Sequence, residues 1–167
     1  MARIPMPTLA AAVARVQAMD RAQKEQFVDE MFRQQPAMLA SFLVQRQMGV
    51  CLEKMEFLLE ILLVCLQAMR QSGLPWPTIT EDDQDRQMQD FLAQAGPKAQ
   101  GGGFEPAGVN QRYINAHPEK ALLAFVLNRL AQWSAKVVPE ETDKYVMLAA
   151  INLVNCIAFV EIPTATQ

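Results

Sequence analysis

The sequence predicts an all-α fold, a bundle of about six helices around one long central helix at about residues 36–72. Three observations lead there. Apolar residues recur at helical spacing from Pro36 to Ser72 and cover more than half of the helix circumference. Residues 139–162 repeat that broad apolar character, with Val146, Met147, Ile151, Val154, Ile157 and Val160 leaving a narrow polar edge. Helix-end signals then bound the segments between: Asp20 with Gln23, Thr80 with Asp83, and Gly73 followed by Leu74.

Each element follows from local chemistry. Pro7 suits a first-turn position, and the first helix is expected over Pro7–Met19. Asp20 and Gln23 form a capping box for a second helix to Gln34, whose apolar face is Phe27, Val28, Met31 and Phe32. Pro36 opens the long third helix. There Met48, Met55, Leu62 and Met69 stack in one column, and Val44, Cys51, Leu58 and Cys65 in another. Arg46, Glu53, Glu60 and Gln67 make its polar column. Gly73 ends this helix as a left-handed cap, and Leu74-Pro75-Trp76-Pro77 continues as a stiff connector. Thr80 caps a fourth helix with Glu81, Asp82, Asp83 and Asp85 near its start, where the helix dipole favours negative charge. A fifth helix is expected over Pro118–Val137 and a sixth over Pro139–Ile162. The short connection between them predicts an antiparallel pair.

The 167 residues fit a single helical domain, with a Gly/Pro-rich loop at 96–117 separating the first four helices from the C-terminal pair. That loop holds five of the seven glycines, including Gly101-Gly102-Gly103. A loop of this length is a linker or carries function.

Composition narrows the function classes. The net charge is −3 and the basic residues are scattered, with no basic stripe among aromatics. Nucleic-acid binding, which needs many phosphate contacts, is not expected. The acidic excess is local: residues 72–95 carry five acids against Arg86. Cys51, Cys65 and Cys156 all sit in apolar helical runs and read as buried free thiols of a reducing compartment. The N-terminal segment imitates a signal peptide only weakly, because Pro5 and Pro7 interrupt its apolar run, so the cytoplasm is the expected location. Met55–Met69 is broken by Glu56 and Glu60, and Tyr145–Val160 is too short for a span and contains Asn152 and Asn155. Membrane association is not expected.

Candidate chemistry is sparse. Glu53, Glu56 and Glu60 line one edge of the long helix and could form a carboxylate metal site, or else a solvated edge met by a base from another helix. Glu53-x-x-Glu56 and Asp82-x-x-Asp85 invite comparison with magnesium-dependent helical nucleotide hydrolases. In a helical hairpin, however, the two pairs would lie roughly 20 Å apart along the axis. Gly101-Gly102-Gly103 lacks the Gly-Lys-Ser/Thr ending of a phosphate loop, so a hinge is the expectation. His117, the single histidine, has no nucleophile tied to it by pattern and suits a turn before Pro118. No cofactor pattern is present. Trp76, Phe104, Val109, Tyr113 and Ile114 are apolar anchors that could meet a partner or lid the protein's own core.

These features lead to one expectation and one alternative. The expectation is a non-enzymatic helical protein acting through protein–protein contacts, with another protein or a second copy as partner. It rests on the surplus of apolar helix surface. The alternative is a metal-dependent or small-ligand helical enzyme built on the Glu53, Glu56 and Glu60 edge. The direction in which those glutamates point discriminates between the two.

Overall fold

The computed structural model describes residues 1–95, Val109 and residues 111–164, and among these it holds eight α-helices and no strand. They are α1 (Met6–Ala18), α2 (Arg21–Gln34), α3 (Pro36–Gln47), α4 (Leu52–Ser72), α5 (Glu81–Ala95), α6 (Gln111–Ala116), α7 (Lys120–Ser134) and α8 (Asp143–Phe159). The all-α expectation holds. The single long helix does not, because it is two helices joined by a sharp turn.

The turn has a plain cause. The N–H of Val50 bonds to the carbonyl of Gln45, and the N–H of Gly49 to that of Arg46. This is the paired pattern that closes a helix around a left-handed residue. Gly49 takes that position with φ +98°, and Val50 follows as the buried apolar contact. The chain then runs extended through Cys51 before α4 begins. Gly49-Val50 thus does what Gly73-Leu74 does at the other end of α4, where Gly73 has φ +72°.

The helix α4 is central. Every residue from Ile61 to Met69 is buried, so these two and a half turns are covered on all sides. The covering helices are α1, α3 and α8 of the same chain. The broad apolar surface of this part of α4 is therefore absorbed within the chain. Gln67, expected on the polar column, is buried with the rest. In turn α8 packs on α4, α5 and α7, and α2 packs on α3.

Local capping matches the sequence at several ends. Asp20 and Gln23 exchange both capping-box bonds at the start of α2. Thr80 and Asp83 do the same before α5, at 2.9 and 3.1 Å, and the Thr80 N–H bond holds the Asp83 carboxyl below its usual range. Residues 111–116, expected as loop, form α6, and α8 starts at Asp143 rather than Pro139. Two side chains, buried Gln35 and half-buried Arg3, do work that no local pattern announces. The Gln35 amide donates to the Pro77 carbonyl and accepts from the Ile79 N–H, both at 2.8 Å, and so clamps the Pro-framed connector to the α2–α3 junction. The Arg3 guanidinium donates to the carbonyls of Ile157 and Val160 at the end of α8, where helix carbonyls lack partners of their own.

Candidate functional site

The α3–α4 turn forms an elbow that displays apolar side chains. Leu43 is 50% exposed, Leu52 is 63% exposed, and Val44 and Met48 are exposed between them. Val138, also exposed, lies on the α7–α8 connection, which packs against the same corner: a Cβ on Gly49 would meet Thr142 Cγ2 at 3.4 Å. Scattered apolar side chains are ordinary on a protein surface, but these four fall within ten residues, the densest run of exposed large apolar side chains among the described residues. Arg46 and Glu53, both exposed, border it with opposite charge.

A buried ion cluster holds the elbow in place. The Lys54 ammonium donates to Asp143 Oδ1 at 2.6 Å and to the Val138 carbonyl at 2.9 Å, and it pairs with Glu140 Oε1 at 2.7 Å. Burial alone would lower the Lys54 pKa; the bonds and charges of Asp143 and Glu140 outweigh it and hold the pKa above the ordinary 10.5. The ammonium also sits 5.9 Å from the Trp133 ring, which stacks on Phe57 at 4.7 Å and 4°. Thus α4, α7 and the start of α8 converge on one base next to the apolar patch.

The predicted acidic edge has a different setting. Glu53, Glu56 and Glu60 are all exposed, and Glu60 meets Arg129 of α7 at 3.3 Å. An exposed pair of this kind contributes about 0–1 kcal/mol. No three acidic, His or Cys side chains among the described residues are grouped to hold a metal ion. No helix among them is long and apolar enough to cross a membrane.

The predicted aromatic anchors turn toward the protein itself. Trp76 is half-buried, and its indole N–H donates to the Met69 carbonyl and Ser72 Oγ, both at 2.9 Å. It therefore closes the C-terminus of α4. Val109, Tyr113 and Ile114 pack against the core. Phe104 and Gly101-Gly102-Gly103 lie outside the described residues.

His117 is 3% exposed and fully engaged. Its Nδ1 accepts from the Glu119 N–H at 3.0 Å, which fixes the proton on Nε2, and Nε2–H then donates to Asn155 Oδ1 at 2.8 Å. Tyr113 donates to the same oxygen at 3.1 Å. Burial lowers the His117 pKa against the opposing pulls of Asn155 and Glu119, so the ring stays neutral. With both nitrogens bonded, His117 joins α6, α7 and α8 and offers no free base. Cys65 and Cys156 are buried, and burial pushes both thiols up to about 12, which makes them poor nucleophiles.

No family model, characterised protein or solved structure matches this chain.

Proposed function

We propose that the protein acts through protein–protein contact at the α3–α4 elbow, and that its first partner is a second copy of itself. The observation that carries this is the exposed patch of Leu43, Val44, Met48 and Leu52 on a corner that Lys54 braces from behind. Stable interfaces pair such an apolar centre with a polar rim. A two-fold pairing that sets Arg46 of one copy towards Glu53 of the other would be self-complementary. The outward direction of Glu53, Glu56 and Glu60 favours this reading over an enzyme built on that edge. Size-exclusion chromatography with light scattering tests it. The expected mass is twice the 18.7 kDa of one chain; a single 18.7 kDa species at all concentrations would refute self-association.

A further inference from the structure

A buried carboxylate fastens the segment ahead of α1 to the bundle. Glu119 is 1% exposed, and its two oxygens accept the N–H groups of Arg3 and Ile4, the latter at 3.1 Å. A carboxylate so far from water depends on such donors. The Ile4 side chain is itself fully buried. Beyond its two bonds to the end of α8, the Arg3 guanidinium lies 5.8 Å from the centre of the Trp76 ring. Residues 1–4 thus form a strap across the start of α7, the end of α8 and the Pro-framed connector. Glu119 is the group that fixes its backbone.

The same residue is tied to His117. The Glu119 N–H donates to Nδ1, and that bond exists only while Nδ1 carries a lone pair. Protonation of the ring would set two N–H groups face to face at 3.0 Å. Nε2–H keeps its bond to Asn155 Oδ1 in either state, so the strain falls on the Glu119 side. Tyr113 of α6 faces the ring, and from α8 come Asn155 and Phe159, both uncharged. Glu119 at the start of α7 is charged, and its carboxylate already acts on the ring. Arg3 of the strap is reached through it. A new Nδ1–H therefore has an acceptor of opposite charge beside it, in the carboxylate that holds the strap.

We propose that His117 is an acid-sensitive latch: once protonated, it draws the Glu119 carboxylate away from Arg3 and Ile4, and residues 1–4 leave the bundle. Opening uncovers the Ile4 site, the last carbonyls of α8 and a face of Trp76. Burial lowers the His117 pKa in the closed state, so closure is complete above pH 6.5 and weakens as pH falls below it. The latch shares no residue with the elbow and does not depend on self-association.

The test is an NMR pH titration of the full chain, in which the single histidine gives an unambiguous ring signal. The Ile4 signals are expected to shift with the same midpoint as the His117 ring, while those of Ile61 to Met69 in α4 stay in place. Amide exchange supplies the magnitude. Protection of the Arg3 and Ile4 amides, corrected for intrinsic rates, should fall about tenfold between pH 7.5 and pH 5.5. His117→Gln, a neutral side chain that can keep both bonds, should abolish that fall; if this variant fails to fold, the wild-type titration still decides. Ile4 signals that stay in place while the ring titrates would overturn the proposal. So would α4 signals that move at the same midpoint, or an undiminished fall in protection in His117→Gln.

Discussion

Removing the Lys54 ammonium should be among the most damaging single changes to the fold. Lys54 is 5% exposed, and Lys54→Met keeps its stem volume while deleting three partners: Asp143, Glu140 and the Val138 carbonyl. Glu140 has a half-exposed side chain and returns to water at little cost. Asp143 cannot, because its side chain is 10% exposed; only the Glu140 N–H, at 3.1 Å from Oδ2, remains to it. Breaking a buried pair from one side costs about 3–5 kcal/mol, and the surviving bond places this case near 3 kcal/mol. With a urea slope of about 2–3 kcal/mol/M, the midpoint should fall by about 1–1.5 M. The variant Lys54→Met/Asp143→Leu leaves no buried charge unpaired. It should therefore be destabilised by at least ~2 kcal/mol less than the sum of the two single changes. Because the folded Lys54 pKa is raised, its contribution is complete below pH 10.5 and lost as pH rises through the folded value. A single variant within 0.5 kcal/mol of wild type, on the order of a surface substitution, would refute the reasoning. So would additive single changes.

Three further outcomes follow from the same structure. His117 has a lowered pKa when folded, so stability is complete above its unfolded value of 6.5 and falls as pH drops below it, by at most ~1.4 kcal/mol per pH unit. Urea midpoints between pH 8 and pH 5 should show this decline, and His117→Gln should remove one proton's share of it; an identical profile in the variant contradicts it. Gly49→Ala places a side chain at φ +98°, while its Cβ only touches Thr142, so backbone conformation sets a cost of about 1–2 kcal/mol. For a chain of this size that lowers Tm by about 2–8 °C, and an unchanged Tm would argue against the elbow. Cys51 is the half-buried thiol and Cys65 and Cys156 are buried, so a thiol reagent should react quickly with one group in the native protein and with all three after unfolding. Three rapid reactions in the native state would contradict the burial.

Much of this fold is legible in the sequence wherever a local pattern has a local cause. The capping boxes at Asp20 and Thr80 and the left-handed Gly73 depend on neighbours within a few residues, and all three stand as read. The elbow was legible too, since Gly49-Val50 carries the same signal as Gly73-Leu74. Apolar columns that run straight through Gly49 hide it, because helical spacing persists in side-chain type even where the backbone turns. Other features have no local signature. Lys54 meets Asp143 across 89 residues, and Gln35 meets Ile79 across 44. Asn152 of α8 donates to the Gln84 carbonyl of α5 across 68 residues. Trp76 reads as a partner anchor by its Pro frame, yet its indole N–H is spent on the end of α4. The acidic edge is legible as an edge, but the side it faces depends on tertiary packing.

The claim that the elbow is the contact face is tested most directly by Leu43→Asp/Leu52→Asp. Both positions are exposed, so the change should leave Tm within a few degrees of wild type. Light scattering on the two proteins at equal concentration should give a dimer for wild type and one chain of 18.7 kDa for the variant. A variant that keeps the wild-type mass while remaining folded would contradict the account.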